Sequence, residues 1–200
     1  MDTMEAIYSR RAVKHFDPDH VMPKEDLGKL LEAAVLSPTS YNIQNWRFVH
    51  VADPARRGEI QAAAWDQTQV TEASLLLVLC ADLQSWAKDT PRYWREAPAE
   101  VSEQMVPMIR QFYDGNDQLQ RDEAMRSCGI AAQTIMLSAR AMGYDSCPMI
   151  GFDPERVAEI IQLPEDHVIG LLLVVGKALK PARPRGGQLP LDQVVIEEAF

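Results

Sequence analysis

Cysteine is scarce in this chain: Cys80, Cys128 and Cys147 are the only three in 200 residues, and they lie far apart. An odd number with no CxxC pair offers neither a zinc site nor a disulfide framework, so reduced thiols in a cytosolic protein are the default. Cys80 sits in an apolar run and reads as a small core residue. Long hydrophobic runs are missing too. None approaches the ~20 residues of a membrane span, and the N-terminus opens with charged residues rather than a signal peptide. A soluble, cytoplasmic protein with no membrane partner is expected. Positive charge is in deficit: 20 Lys and Arg stand against 29 Asp and Glu, a formal net charge of −9. That balance argues against a nucleic-acid binder, which needs a broad basic face.

Several chemical signatures are absent as well. There is no GxGxxG after a strand, no GxxxxGK[ST] and no GxSxG elbow. His15, His20, His50 and His167 lack metal-ligand spacing, so no metal site is expected. Chemistry without a metal motif or an activated nucleophile points to a cofactor that brings its own reactivity.

What is present reads as one α+β domain over residues 1–200, with no internal repeat. Asp2 and Glu5 form a capping-box pattern ahead of a short helix over Thr3–Ser9. Pro23 suits the first turn of a second helix, whose Leu27, Leu30, Leu31, Ala34 and Val35 share one face. Pro38 stops that helix. Trp46–Val51 reads as a strand and Pro54–Ala64 as a helix. Leu75–Cys80 is apolar throughout, as a strand buried on both faces would be. The middle third is helical in pattern, with breaks expected at Pro98 and Pro107. A long central helix is expected from about Leu119 to Met142, with Gly143 as its cap. A short extended segment follows over Asp145–Ile150. Asp153-Pro154 starts another helix. Val168–Gly176 is a second buried strand, interrupted by Gly170. Pro181, Pro184 and Pro190 make the tail extended, and Val194, Val195 and Ile196 are expected to pair as an edge strand on a partner subunit.

Three segments concentrate polar chemistry. Ser37 to Trp46 packs hydroxyls and amides between a helix and a strand and contains no charge. That is more hydrogen-bonding capacity than a turn needs, and it suits the edge of a flat heteroaromatic ligand, although an ordinary connection is the alternative. Ser9-Arg10-Arg11-Ala12-Val13-Lys14 places three cations in a short span. Arg183-Pro184-Arg185 places two more near the other end of the chain. Arginine forks match phosphate oxygens, so two basic sites closing on one anionic ligand are a natural reading, with solvated surface patches as the alternative.

These segments carry a resemblance. Ser9 to Asp17 resembles the opening of the nitroreductase family of flavin enzymes. Ser37 to Trp46 is similar to its Ser-Pro-Ser-Ser-x-Asn-x-Gln-Pro-Trp pattern, and Gln67 to Ser74 to its next segment. Pro148-Met149-Ile150-Gly151-Phe152 resembles the family's proline-glycine loop, and Arg183 to Leu191 its basic tail. The matches come in family order along nearly the whole chain. They imply a mostly antiparallel or mixed sheet flanked by helices, with a C-terminal arm exchanged in a homodimer that holds two FMN sites.

By this resemblance, Arg10, Arg11, Ala12 and Lys14 line the FMN, with Lys14 near the pyrimidine edge, where a cation favours hydride acceptance at N5. Arg183 and Arg185 reach the phosphate. Pro38, Thr39, Ser40 and Asn42 approach from the other subunit. Gln69 offers an amide to the ring, and Pro148, Met149, Ile150 and Gly151 line its face or N5 edge. No side chain is a catalytic residue, since flavin N5 carries the chemistry. NADH or NADPH is the implied co-substrate, and an electron-poor small molecule such as a nitroaromatic or quinone the acceptor, served in ping-pong order. The alternatives are an FMN enzyme with a different acceptor (an enone, a pterin or a flavin) and a non-catalytic flavin-binding protein. The chain also departs from the family pattern. Ala12 stands where many members have serine, Asn45 where proline precedes Trp46, Asp66 where asparagine is frequent, and Ile150 where some carry glutamate.

Overall fold

The computed structural model describes residues 1–200. Its centre is a four-stranded sheet in the order β1 (Trp46–His50), β2 (Leu75–Asp82), β4 (His167–Gly176), β3 (Asp145–Met149). Every strand pair is antiparallel. The family-like expectation of a mostly antiparallel sheet therefore holds, and the only parallel element is an isolated bridge between Ala12 and Ser146.

Alternation along β2 explains how both faces are filled. Leu76, Val78 and Cys80 point into one core with Ile60, Val70, Val157 and Phe16. Leu75, Leu77, Leu79 and Ala81 point into the other with Leu30, Ala132 and Ile135. The first core is covered by α3 (Pro54–Ala63), α4 (Gln69–Glu72) and α7 (Pro154–Ile161), the second by α2 (Lys24–Ala34) and α6 (Asp117–Ala141). All eight residues of β2 are buried, as its continuous apolar sequence requires.

Gly170 interrupts the pattern of β4 for a structural reason. Leu79 pairs with Leu171 while Cys80 pairs with Ile169, so Gly170 is the extra residue of a β-bulge. A Cβ there would stand 2.6 Å from the Cβ of Cys128, so the missing side chain lets α6 lie close against the sheet.

The helix starts follow their caps. Glu5 N–H donates to Asp2 Oδ1 at 2.8 Å and Asp2 N–H to Glu5 Oε2 at 3.0 Å, completing the capping box of α1 (Thr3–Ser9). Asp53 and Asp153 accept from Arg56 and Arg156 N–H to start α3 and α7. One expectation needs correction. Pro98 does precede α5 (Ala99–Tyr113), but Pro107 lies inside that helix without ending it. Pro107 and Glu103, four residues earlier, are both exposed, so the helix turn that lacks the proline donor faces solvent. Within its own chain the arm forms one turn, α8 (Leu191–Val194), and Val194 to Ile196 pair with none of the four strands. With no strand edge beside it the segment satisfies itself locally, Val195 N–H donating to Leu191 O at 2.8 Å.

Candidate functional site

The two basic segments, remote in sequence, meet in space. Phe16 pairs with Ala178 and Ala12 with Ser146, which lays residues 10–16 beside β3 and the end of β4. That brings the tail alongside. An Arg11 Nη2–H donates to the carbonyl of Arg183. Arg185 Nη2 donates to the carbonyls of Tyr8 at 2.9 Å and Arg10 at 3.2 Å. The result is a cavity of ≈ 550 Å³ walled by Arg10, Arg11, Ala12 and Lys14 on one side and Arg183 to Gln188 on the other. Its lining includes no carboxylate. Five cations gathered without a counter-charge, in a chain of net charge −9, make a strongly anion-attracting place.

The floor comes from α4 and the preceding turn. Gln69, 3% exposed, donates its amide to Gln67 Oε1 at 2.9 Å and to Met149 Sδ at 3.6 Å. Gln67 in turn donates to the carbonyl of Gly151 at 2.8 Å. Both glutamines line the cavity. Met149 is buried beneath them, whereas Pro148 and Ile150 point outward, as alternation along β3 dictates. Pro148 to Gly151 are thus tied to the cavity through Gln67 and Met149 rather than forming its wall. At Gly151 a Cβ would come within 2.8 Å of Trp65 Cζ3, so glycine is needed for the indole to lie against this loop. Trp65 and Asp66 both adopt positive φ, 55° and 56°, a local strain seldom kept without a structural or functional reason.

Beside this floor, burial pushes the Cys147 thiol up, while Lys14 and Arg10 pull against it. Cys80 and Cys128 are pushed to about 12 by burial. All three cysteines are free and buried, which makes them poor nucleophiles.

The polar loop lies elsewhere on the same chain. Ser37 Oγ donates to Thr134 Oγ1 at 3.0 Å, Ser40 N–H to Glu123 Oε1 at 3.0 Å, and Asn42 Nδ2 to the carbonyl of Tyr93 at 2.7 Å. Gln44 N–H donates to Thr39 Oγ1 at 3.0 Å. Tyr41, Asn42 and Gln44 all hold positive φ. Within one chain, then, Pro38, Thr39, Ser40 and Asn42 do not join the arginine cavity. Asn42 and Gln44 instead line a separate polar cavity of ≈ 570 Å³ with Arg92 to Ala97. Part of the loop's excess bonding capacity is consumed by α6 and by Tyr93.

Gln67, Gly186, Gly187 and Gln188 also belong to the cavity and were absent from the expected set. For Gln67 the available signal was its place two residues before Gln69, ahead of a buried strand. A second polar cluster joins Asp82, Asp166 and His167. Lys88 Nζ occupies its middle, 2.9 Å from Asp82 and 2.5 Å from Asp166, with Arg47 3.4 Å from Asp82. The positive charge of that cluster is supplied by side chains. No helix is long and apolar enough to cross a membrane.

Known proteins resemble this chain in sequence and in fold. A family model described as "Nitroreductase family" matches residues 7–177. The chain is 52% identical to the Synechocystis sp. protein DrgA, over 98% of this chain and 95% of that one. It is 32% identical to a Thermus thermophilus protein named NADH dehydrogenase, over 98% and 96%. An Exiguobacterium sibiricum structure solved in complex with FMN superposes with a TM-score of 0.91 at 28% identity, covering 99% of this chain and 98% of that one.

Proposed function

We propose, from the premise that this chain belongs to the nitroreductase family, that it is an FMN-dependent oxidoreductase using NADH or NADPH to reduce electron-poor small molecules such as nitroaromatics or quinones. The observation that carries this reading is the convergence of Arg10, Arg11, Lys14, Arg183 and Arg185 on one cavity with no carboxylate in its lining. The volume, ≈ 550 Å³, falls within the range of cofactor sites, and the donor set suits a phosphate joined to a polar ring.

In this reading Arg183 and Arg185 hold the phosphate, and Arg10 and Arg11 close the same wall. Lys14 places an ammonium where negative charge develops on the ring, and Gln69 offers its buried amide to a ring polar edge. Bound FMN supplies two-electron exchange between a reduced nicotinamide and the acceptor. The chain positions, excludes water and sets the local field, and no side chain acts as a dedicated acid or base.

The functional unit is a homodimer in which Pro38, Thr39, Ser40 and Asn42 of one chain complete the site of the other. Two features support that arrangement. None of these loop residues lines the arginine cavity of its own chain, and α1, α6 and the arm expose Met4, Tyr8, Ile130, Leu191 and Ile196. Purified protein should be yellow and should oxidise NADH or NADPH when a quinone or nitroaromatic is present. A colourless protein that gains no such activity on addition of FMN would overturn the reading.

A further inference from the structure

A second cavity, ≈ 480 Å³, opens on the other side of α4, between the start of α2 and the start of α3. Its walls are largely apolar, with Val21, Met22, Leu27 and Leu75 among them. Set into these walls is Arg57, only 9% exposed. The guanidinium donates to the carbonyls of Val51 (Nε, 2.8 Å), Ala73 (Nη1, 2.5 Å) and Ser74 (Nη2, 3.2 Å). Those bonds use three of its five N–H groups. They satisfy geometry but not charge. Burial lowers the pKa of Arg57 with no carboxylate opposing it. A buried, unpaired cation is costly, and proteins normally pair it.

Further polar groups line the same cavity. Lys24 stands at the rim and makes no ion pair, and α2 begins there with no side chain capping its first N–H groups, although Glu25 and Asp26 follow in its first turn. His20 Nε2 is buried without a hydrogen-bond partner. His50 lines the opposite wall, its pKa lowered by burial and by Arg57. The one acid in the lining, Glu72, accepts from Phe16 N–H at 3.1 Å and pairs with neither Arg57 nor Lys24, so the two cations still outnumber it. The cavity thus joins an apolar body to an unpaired cation, an imidazole with a free nitrogen and an open helix start.

We infer that this cavity is a second binding site, for a small organic monocarboxylate with an apolar body, its carboxylate held at Arg57, His20 and Lys24. An uncharged molecule of the same shape would leave the guanidinium unpaired, and an ion without an apolar body would leave the walls wet. The site is distinct from the arginine cavity, although α4 borders both, with Gln69 on one side and Thr71 and Glu72 on the other. The inference does not rest on the flavin reading.

Calorimetric titration of the flavin-loaded protein with benzoate, while its visible absorption is recorded, tests this directly. Benzoate should bind once per chain and leave the flavin band unchanged. Benzyl alcohol and acetate should each bind at least about tenfold more weakly, the size expected for losing a charged hydrogen bond or the apolar body. Lys24→Glu at the rim, and Ala52→Trp at the exposed mouth, should abolish binding without changing the flavin band. Four results would overturn the assignment: no benzoate binding; binding that perturbs the flavin band; binding that survives Ala52→Trp; or binding seen only after residues 186–200 are deleted. The last would identify the arm of a second copy as the natural occupant.

Discussion

Arg11 donates a hydrogen bond to the carbonyl of Arg183 across 172 residues of sequence. Neither residue pairs with an acid, so the contact fixes two positive segments against each other without neutralising them. Like charges are held together here by backbone carbonyls, and what offsets their repulsion in the working protein is, in our account, an anionic ligand.

Arg185→Ala should therefore weaken FMN binding by at least about tenfold, since hydrogen bonds to charged groups contribute roughly 1.5–3 kcal/mol each. The apo protein should melt within a few degrees of the parent, because Arg185 is exposed and bonds only to the carbonyls of Tyr8 and Arg10. Fluorescence titration of FMN against both proteins checks the first statement and a thermal melt the second. Equal FMN affinity would remove Arg185 from the phosphate.

Gln67→Ala should loosen the floor of the cavity, because Gln67 links Gln69 to the carbonyl of Gly151. FMN affinity should fall, and the flavin absorption band should shift as the Gln69 amide loses its fixed orientation. Gln67→Glu still accepts from Gln69 but cannot donate to the Gly151 carbonyl when ionised, so it should lower FMN affinity while shifting the band less than the alanine variant. A spectrum identical to the parent in both variants would contradict this role.

Gly170→Ala should destabilise the fold by about 1–3 kcal/mol, the usual effect of overpacking. The added methyl would lie 2.6 Å from Cys128 Cβ. Denaturant unfolding measures the loss, and Cys128→Gly in the same chain should recover part of it. A neutral Gly170→Ala would mean that α6 is free to move away from the sheet.

Thiol chemistry offers a simple check on burial. Cys80 and Cys128 are pushed to about 12 and Cys147 is raised, so iodoacetamide at pH 8 should leave the native protein unlabelled and label all three sites once it is unfolded. Mass spectrometry reads the count. Rapid labelling of Cys147 alone would show that the wall between Lys14 and β3 opens.

How much was legible in the sequence follows from which signals are local. The cap residues Asp2 and Asp153 and the apolar runs at Leu75 and Val168 fixed their elements closely, because capping and burial act within a few residues. Pro107 misled: a proline stops a helix only where the freed carbonyl cannot reach water, and here the position is exposed. Val194 to Ile196 make no ladder within one chain, since strand propensity needs a neighbouring edge and that edge is expected on a partner subunit. The basic clusters were legible as residues, and their meeting was anticipated, but the carbonyls that bind them are invisible in side-chain chemistry. The Gln67 link and the unpaired Arg57 were not legible, since both depend on contacts set by the tertiary fold.

Anaerobic titration of the FMN-loaded protein with NADH and with NADPH, followed at the flavin absorption band, decides whether this chain passes electrons from a nicotinamide through FMN to an acceptor. At least one nucleotide should bleach the band at one equivalent per flavin, and a quinone should then restore it. Protein that binds FMN yet is bleached by neither nucleotide, or that binds no FMN at all, would contradict that electron path.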